Sequence, residues 1–249
     1  MIVVVPMAGR GKRLADSGFD KPKPLIEIGG KPILYWALKS IDQFPYSQII
    51  FIALQEHEEK YKLSQVIKGL ISTEFRLILL EEVTEGQLCT VLSARDYFEE
   101  DQDLLIVSSD TYVVSDINQD VCSLSLKTKG LISVANLPGD RWSFARIDEE
   151  GKVVEVAEKT RISDFASTGI YYFSNCSQFL SIADDIILSK EKTKGEYYVI
   201  PVYQKMIDKG LQINISLAKE MWDLGTPEAI KNFDVFLQNN PTAYEHRYD

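Results

Sequence analysis

The chain has 249 residues, of which 45% are hydrophobic, so it can bury one sizeable core without disulfide support. Its net charge of −10 argues against nonspecific binding to nucleic acid or to anionic membranes, because both require a broad basic surface. No apolar run of about 18 residues and no signal-peptide pattern occurs, and we therefore expect a soluble, cytoplasmic protein with no membrane partner.

Neither the cysteines nor the histidines have the spacing of a zinc site. Cys89, Cys122 and Cys176 stand alone in the sequence, which suits a reducing compartment, and we expect each of them to pack in the core. His57 lies among glutamates and His246 lies near the end of the chain, so we expect both to be solvated. These residues give no support to zinc or serine-hydrolase chemistry.

The first half of the chain alternates strand and helix patterns. Apolar runs predict strands at 2–5, 48–54, 75–80 and 103–108, and helical periodicity predicts helices near 32–44, 58–71 and 86–98. Such alternation is typical of a mostly parallel sheet covered by helices, with its ligand crevice beyond the carboxyl ends of the strands. The sequence therefore predicts an α/β fold of the Rossmann-like, three-layer α/β/α type.

After Asp110 the rhythm changes. Strands are predicted at 131–135, 143–148, 152–157, 168–173 and 211–218, and helices near 177–189, 197–209 and 227–238. The consecutive strands with turn residues between them predict a small antiparallel β-hairpin wall, which makes the sheet mixed. No repeat or linker interrupts the pattern, so we expect one domain over 1–238 and a polar tail at 239–249.

The opening segment carries the strongest functional signal. A buried strand at 2–5 is followed by Gly9 and Gly11, which let the backbone approach a ligand, and then by the cations Arg13 and Lys23. Residues 1–31 hold six basic and three acidic side chains, a net charge of +3 that leaves −13 for the remainder. This asymmetry favours a focused polyanion site such as nucleotide phosphates, although an ordinary turn with a solvated charged face would give the same pattern.

The motif Gly-x-Gly-x-Arg at 9–13 is followed by Pro22-Lys23-Pro24-Leu25 and by Ile28-Gly29-Gly30-Lys31-Pro32. These residues resemble the amino-terminal signature of the sugar-1-phosphate nucleotidylyltransferases, also called nucleotide-sugar pyrophosphorylases. The resemblance implies an enzyme that uses Mg²⁺ to join a nucleoside triphosphate to a phosphorylated acceptor, foremost a sugar 1-phosphate, with release of pyrophosphate. It also implies a nucleotide-binding half at 1–110 and an acceptor-binding half at 111–238.

The resemblance assigns the nucleotide side of the site. Arg13 and Lys23 are expected to be catalytic contacts of the nucleotide phosphates, and backbone groups of Ala8, Gly9 and Gly11 are expected to bind the nucleotide. Gly86 and Gln87, in the segment Thr84-Glu85-Gly86-Gln87, are the candidates for reading the nucleobase. Helix capping by Thr84 and Gln87 is the structural alternative for that segment.

Two carboxylates are the candidates for binding Mg²⁺. Asp110 ends an apolar run, where a turn aspartate is common, and it takes the place of a catalytic, metal-binding aspartate in the resembled family. Asp223 lies before Leu224-Gly225-Thr226, which reads as a helix start capped by Thr226. The helix start does not explain Asp223, and this residue matches the aspartate of the family's Asp-x-Gly-Thr motif.

Four residues are expected on the acceptor side. By resemblance, Glu158 binds sugar hydroxyls, Lys159 binds the acceptor phosphate, Gly169 lets the sugar lie against the backbone, and Glu196 lies near the acceptor. Each also has a structural interpretation: a solvent-facing strand end for the first pair, a strand bulge for Gly169 and a helix-start carboxylate for Glu196.

Several alternatives stay open. A dehydrogenase is disfavoured because Leu14 replaces the third glycine of the dinucleotide fingerprint. A glycosyltransferase or a noncatalytic nucleotide-binding protein would bind nucleotide without releasing pyrophosphate. The segments at 84–87 and 166–171 also resemble a branch linked to surface-polysaccharide precursors. The missing asparagine at 166–171 leaves open cytidylyl transfer to phosphocholine, a phosphonate or a phosphorylated amino acid. The nucleobase and a homo-oligomeric state are not decided by the sequence.

Overall fold

The computed structural model describes residues 1–240, which form a large sheet with helices packed on both faces. The helices are α1 (Lys12–Ala15), α2 (Ile33–Lys39), α3 (Gln55–Tyr61), α4 (Leu63–Leu70), α5 (Gln87–Leu92), α6 (Ile117–Cys122), α7 (Cys176–Leu188), α8 (Ile200–Asp208) and α9 (Pro227–Asn239). The strands are β1 (Ile2–Pro6), β2 (Glu27–Ile28), β3 (Lys31–Pro32), β4 (Gln48–Leu54), β5 (Phe75–Leu80), β6 (Leu104–Val107), β7 (Thr111–Val114), β8 (Thr128–Asn136), β9 (Ser143–Ile147), β10 (Val153–Glu158), β11 (Phe165–Phe173), β12 (Gln212–Leu217) and β13 (Glu220–Asp223).

Within residues 1–240 the large sheet has nine strands, in the order β10, β9, β11, β6, β1, β4, β5, with β8 joined to β11 and β12 joined to β8. Strand β1 pairs in parallel with β4 and β6, and β4 pairs in parallel with β5. Strand β11 is antiparallel to β6, and from there the sheet continues into the β9–β10 hairpin. The predicted hairpin wall is thus an extension of the main sheet.

The central strands are apolar on both faces because helices cover both. Val3 and Val5 of β1 pack in the core under α2 and α4, whereas Ile2 and Val4 pack in the core under α5, α7 and α8. All four side chains are completely buried. An unbroken β-branched run is what a parallel strand covered on both sides requires, since neither face meets water.

A third, aromatic cluster joins the segments that carry the site. Trp36, Tyr112 and Phe233 pack with buried side chains from α1, from the segment after Lys23 and from the segment after Asp223. The rings of Trp36 and Phe233 meet edge to face with centroids 5.1 Å apart. Helix α9 therefore holds together chain segments that are far apart in the sequence.

The four strands predicted in the first half are confirmed, but its helices are shorter than predicted. Helix α2 ends at Lys39, ahead of Phe44-Pro45, where the ring of a proline disfavours helix in the residue before it. The segment at 58–71 belongs to two helices separated by Lys62, whose φ is +53°. The segment at 86–98 is α5 followed by a short 3₁₀ turn at Arg95–Tyr97.

Four short strands were not predicted, β2, β3, β7 and β13, and the last two border the site. Strands β7 and β13 pair antiparallel as a separate two-stranded sheet, with Asp223 opposite Thr111. Each of them is only four residues long. Strand β7 directly follows the polar residues Ser108 to Asp110, so the sequence there resembles a turn and not a strand. This small sheet brings the carboxyl end of β13 next to Asp110.

The structure contradicts the expected burial of two residues and does not describe a third. His57 is buried, with 7% of its surface exposed, because α3 packs it among Pro22, Pro24 and Leu63. Cys122 is exposed at the end of α6, whereas Cys176 is buried and Cys89 is half-buried. His246 lies outside the described residues.

No helix within residues 1–240 combines the length and the apolar composition needed to cross a membrane.

Candidate active site

An open cleft lies beyond the carboxyl ends of β1 and β6. It encloses about 550 Å³ and is lined by residues 6–12, 23–24, 83–84, 86–87 and 108–110 and by Thr90, Glu196 and Tyr198. Ligands of open α/β sheets bind at this end of the strands. Eight of the predicted site residues line the cleft: Ala8, Gly9, Gly11, Lys23, Gly86, Gln87, Asp110 and Glu196. Arg13, Glu158, Lys159, Gly169 and Asp223 are not part of the lining.

The glycine turn after β1 lies directly against the lysine of the second motif. Gly11 has a φ of +60° and precedes α1, a helix of four residues. A Cβ added to Gly11 would come within 3.2 Å of the Cβ of Lys23. A larger residue at position 11 would therefore be strained in its backbone and crowded against Lys23.

Helix α1 turns one side chain inward and leaves its cations at the surface. Leu14 is buried in the aromatic cluster, whereas Lys12 and Arg13 are exposed. The positive charge of Arg13 reaches the acceptor side of the cleft, where it lowers the pKa of Tyr198 against the larger opposing effects of burial and of Glu196. Arg13 is therefore an exposed cation close enough to act electrostatically on a residue that lines the cleft.

Lys23 and Asp110 form an ion pair across the cleft. The lysine Nζ donates a hydrogen bond to Oδ2 of Asp110, and both side chains are partly buried. This contact joins two predicted catalytic residues that come from different chain segments.

Asp110 and Asp223 lie next to each other. The backbone N–H of Leu224 donates to the carbonyl oxygen of Asp110 at 2.8 Å, and the N–H of Gly225 donates to Oδ1 of Asp223 at 3.0 Å. Burial raises the pKa of Asp223, and the negative charge of Asp110 raises it further. Two carboxylates that repel each other in this way favour a shared divalent cation, which would relieve the repulsion.

The two aspartates would leave most of a cation's coordination to other oxygens. Among residues 1–240 no group of three or more His, Cys, Asp or Glu side chains is arranged to hold a metal by itself. Mg²⁺ characteristically takes one or two carboxylates together with substrate phosphates and water. The donor set at Asp110 and Asp223 therefore fits a Mg²⁺ ion that arrives with a phosphate ligand.

The predicted base-reading loop is held tightly in place. Gly86 has a φ of +140°, and a Cβ added there would lie 2.3 Å from the carbonyl oxygen of Tyr197. The carbonyl oxygen of Tyr197 accepts from the backbone N–H of Leu88 at 3.1 Å, and its N–H donates to the carbonyl oxygen of Glu85 at 2.9 Å. These two hydrogen bonds hold the loop against Tyr197. The close approach explains why position 86 is a glycine.

The alternative that Thr84 and Gln87 cap a helix is wrong. Helix α5 begins after Gly86, and no side chain caps it. Thr84 instead donates from its hydroxyl to the carbonyl oxygen of Gly86 at 2.9 Å. The amide of Gln87 reaches across the cleft floor and donates to Oγ of Ser108 at 3.3 Å.

On the acceptor side, Lys159, Tyr198 and Glu196 form a chain of contacts. Lys159 donates to the hydroxyl oxygen of Tyr198 and lies 4.4 Å from the centroid of its ring. The same hydroxyl donates to Oε2 of Glu196 at 2.5 Å. The tyrosine therefore joins two predicted acceptor residues, and its hydroxyl keeps its proton because burial and Glu196 both raise its pKa.

Glu158 points to a different partner. Its carboxylate accepts a hydrogen bond from the hydroxyl of Ser143 on the neighbouring strand β9. Burial raises the pKa of Glu158, although the bond from Ser143 and the charge of Lys159 oppose this effect. The half-buried carboxylate is thus not the solvent-facing strand end that the structural alternative describes.

Gly169 lies at a bulge of β11, as its structural alternative predicts. Its φ is +85°, and the pairing of β11 with β8 shifts register between Ser167 and Tyr171. A Cβ added to Gly169 would lie 2.4 Å from Oγ of Ser108. The position requires glycine for local packing whether or not a sugar lies against it.

Two residues with clear contacts to the site were missed. Tyr198 follows Glu196 closely in the sequence and could have been found from that motif. Arg141, in the turn before β9, makes an ion pair of 2.8 Å with Asp223. Its signal was the basic-aromatic pair Arg141-Trp142 next to a Pro-Gly-Asp turn, which by itself indicates only a surface loop.

The comparisons with known proteins agree with this geometry. The chain belongs to the nucleotidyl transferase family, whose sequence profile matches residues 2–240. Among curated relatives, the bifunctional protein GlmU of Methanocaldococcus jannaschii is 24% identical over 240 residues, which make up 95% of this chain and 54% of the relative. The chain thus spans about half the length of the curated relatives it matches.

Solved structures show the same fold. The nucleoside-diphosphate-sugar pyrophosphorylase from Vibrio cholerae RC9 has a TM-score of 0.81 and 28% identity, with 94% of this chain and 99% of that chain covered. The inositol-1-phosphate CTP transferase from T. maritima has a TM-score of 0.74, 14% identity and coverage of 97% and 96%, and it supports the fold alone. The predicted family, its enzyme class and the α/β fold are confirmed, and the dehydrogenase alternative is set aside.

Proposed function

We propose that this chain transfers a nucleotidyl group from a nucleoside triphosphate to a phosphorylated small molecule, foremost a sugar 1-phosphate, with Mg²⁺ as cofactor and pyrophosphate as product. The contact that carries the proposal is the meeting of Lys23, Asp110 and Asp223 at one end of the cleft. A lysine lies beside two carboxylates and against a glycine turn. The lysine and the backbone N–H groups of the turn can bind phosphate oxygens and the carboxylates can bind a metal, so the site suits a metal-bound triphosphate better than a neutral ligand.

The residues divide between the two substrates. We assign the nucleotide to the half formed by residues 1–110, with its phosphates against Ala8, Gly9 and Gly11 and its base against Gly86 and Gln87. We assign the acceptor to residues 111–238. There Lys159 would take its phosphate, and Glu158, Gly169 and Glu196 would border the rest of the molecule.

The reaction is an in-line displacement at the α-phosphorus. An oxygen of the acceptor phosphate forms a bond to that phosphorus, the bond to the bridging oxygen of the β-phosphate breaks, and pyrophosphate leaves with the electron pair. Both reactants are anions, so positioning and charge compensation matter more than covalent chemistry by the protein. When bound at Asp110 and Asp223, Mg²⁺ would neutralise phosphate charge and hold the reacting group in place.

Lys23 and Arg13 supply the remaining positive charge in this proposal. Lys23 is partly buried between the glycine turn and Asp110, where it would exchange the carboxylate for an oxygen of the α-phosphate. Arg13 is exposed, and its planar guanidinium would hold two oxygens of the leaving pyrophosphate.

A non-sugar acceptor is the second candidate, and one observation favours it. The hydroxyl of Thr168 donates to Ser133 Oγ at 2.7 Å inside the buried sheet, so it is turned away from the cleft. No asparagine occurs at 166–171, where the resembled family has one. A phosphorylated compound with few hydroxyls, such as phosphocholine or a phosphonate, therefore stays a candidate for cytidylyl transfer.

Pyrophosphate release measures the proposal directly. The full chain with Mg²⁺ would be incubated with CTP, UTP, dTTP or GTP against sugar 1-phosphates and against phosphocholine, a phosphonate and a phosphorylated amino acid. We expect one pair to release pyrophosphate in step with product, and Asp223→Asn to lose that activity. Binding of a triphosphate with no pyrophosphate release from any pair would favour a noncatalytic nucleotide-binding protein instead.

A further inference from the structure

Arg141 forms an ion pair with Asp223, one of the two aspartates that we propose as Mg²⁺ ligands. Its guanidinium nitrogen Nη2 lies 2.8 Å from Oδ2 of Asp223. The side chain of Asp223 is 17% exposed and that of Arg141 is 49% exposed, so the arginine covers the carboxylate from the solvent side. Lys23 pairs with the other aspartate, Asp110, in the same way.

The loop that carries Arg141 is held in place by hydrogen bonds from other side chains. Residues 137–142 join β8 to β9, and Arg161 donates from Nη1 to the carbonyl oxygens of Leu137 at 2.8 Å and Gly139 at 2.9 Å. The indole N–H of Trp142 donates to Pro138 O at 3.1 Å. The loop is therefore held by several bonds that do not involve Arg141 itself.

Two further contacts place this arginine beside the acceptor side of the cleft. The guanidinium of Arg141 lies 4.2 Å from the ring centroid of Trp142, which limits the directions it can take. The carbonyl oxygen of Trp142 accepts from the backbone N–H of Lys159 at 2.8 Å. The residue next to Arg141 in the sequence therefore contacts the backbone of Lys159, to which we assign the acceptor phosphate.

We propose that Arg141 competes with the divalent cation for Asp223 and that, once displaced by the cation, it binds the phosphate of the acceptor beside Lys159. This inference rests on the proposed function, because it uses the same aspartate and the same acceptor. It adds a phosphate-binding residue to the acceptor side and couples the binding of the metal to the binding of the acceptor phosphate. The metal and the acceptor phosphate each make the other bind more tightly.

The physical basis is an exchange of partners between ions. A cation held by Asp223 would lie close to the guanidinium of Arg141, and the two positive charges would repel each other. Displaced arginine needs a new anion, and a phosphate offers the two oxygens that its planar fork matches. If metal binding improves phosphate binding, phosphate must improve metal binding by the same factor.

Titration of the full chain with Mn²⁺, followed by the electron paramagnetic resonance signal of the free ion, tests the first half of the inference. Without any substrate, Arg141→Ala should bind Mn²⁺ about threefold to tenfold more tightly than the wild type, because a competing cation of ordinary ion-pair strength is gone. Arg141→Lys keeps the charge and should gain less. Equal or weaker Mn²⁺ binding by Arg141→Ala would overturn the proposal.

Arg146→Ala is the matched control. Arg146 is also an exposed arginine and lies in β9, but it pairs with Glu155 at 2.7 Å and not with Asp110 or Asp223. Its removal makes the net charge of the protein more negative by the same one unit and should leave Mn²⁺ affinity unchanged. A similar gain in both variants would mean that the effect is one of total charge, and it would reject a specific role for Arg141.

Inorganic phosphate tests the second half. Phosphate should tighten Mn²⁺ binding in the wild type, and the factor should shrink in Arg141→Ala because one phosphate-binding cation is missing. An equal factor in both proteins would refute the transfer of Arg141 to the phosphate. If Arg141→Ala does not give a cooperative thermal transition, Arg141→Gln replaces it in both titrations.

These readouts do not depend on turnover, so the two proposals can fail separately. Expected Mn²⁺ results without pyrophosphate release from any substrate pair would reject nucleotidyl transfer and keep the exchange at Asp223. Pyrophosphate release by the wild type, together with unchanged Mn²⁺ binding in Arg141→Ala, would support nucleotidyl transfer and reject the exchange at Asp223.

Discussion

Lys23 donates a hydrogen bond to the carboxylate of Asp110 across 87 residues of sequence. Each of these two groups also has a proposed partner among the substrates. When a metal-bound triphosphate enters, the lysine would turn to phosphate oxygen and the aspartate to the metal. The ion pair thus matches two opposite charges that are both partly buried.

Lys23→Ala should lower kcat about a hundredfold to a thousandfold, because it removes a preorganised positive charge from the reacting phosphate. Asp110→Ala should lose activity on the same scale. Pyrophosphate release under saturating substrates measures both variants.

Lys21→Ala controls for the loss of a lysine from this segment. Lys21 is exposed and pairs with Glu27 at 2.6 Å, away from the cleft. Its removal should change kcat by less than about twofold, since exposed ion pairs contribute little. Equal losses in Lys21→Ala and Lys23→Ala would remove the special role of Lys23.

Lys159→Ala should weaken acceptor binding more than it slows chemistry. The lysine contacts Tyr198 and is proposed to bind the acceptor phosphate, so its loss should raise the KM for the acceptor by about tenfold or more. The KM for the triphosphate should change little. Tyr198→Phe keeps the ring under Lys159 but removes the hydroxyl, and a rise in acceptor KM smaller than that of Lys159→Ala is expected. A rise in nucleotide KM alone would contradict the assignment of Lys159.

Local patterns in the sequence were enough to predict a glycine turn that lines a cleft. An apolar strand followed by Gly9 and Gly11 specifies a turn at a sheet edge, and the strand's register then fixes where that turn lies. The pairing of Asp110 with Asp223 was expected from a family resemblance and not from spacing. Its physical cause is the short β7–β13 sheet, which is too brief to leave a periodic signal.

Contacts made by long side chains were beyond prediction from sequence. Arg141 reaches Asp223 from a loop whose position depends on hydrogen bonds from Arg161, and no local pattern encodes that arrangement. His57 was expected to be solvated because its neighbours are glutamates. Helix periodicity decides its environment instead: Glu56 and Glu59 are exposed and Glu58 is half-buried, whereas the side chain of His57 faces the core.

Gly86→Ala should destabilise the protein by about 2–4 kcal/mol, since the new methyl would meet backbone atoms at a φ that alanine disfavours. The added Cβ would lie 2.3 Å from Tyr197 O and 2.5 Å from Tyr197 N, and neither atom can move without breaking the loop. The midpoint of urea unfolding measures the effect, and triphosphate affinity should fall as well.

Gly69→Ala is the matched control for this loop. Gly69 lies inside α4, and a Cβ added there would meet no atom within 4 Å. Alanine is the better helix former, so this variant should be up to about 1 kcal/mol more stable than the wild type. A Gly86→Ala protein as stable as Gly69→Ala would show that the loop does not pack on Tyr197 as described.

His57 should make the fold sensitive to mild acid. Burial lowers its pKa below the ordinary value of 6.5, and the charge of Glu56 opposes this only in part. The unfolded chain therefore binds the proton more readily than the folded one, so the stabilising contribution is complete above pH 6.5 and is lost as the pH falls through the lowered pKa. His57→Leu, which suits the apolar neighbours Met7, Leu25 and Leu63, should flatten the dependence of unfolding free energy on pH in that window. Glu56→Gln should steepen it, because the carboxylate that favours the protonated imidazole is gone. Urea unfolding of the three proteins at several pH values on both sides of the window measures the slopes, and parallel curves for wild type and His57→Leu would show that this histidine does not titrate with folding.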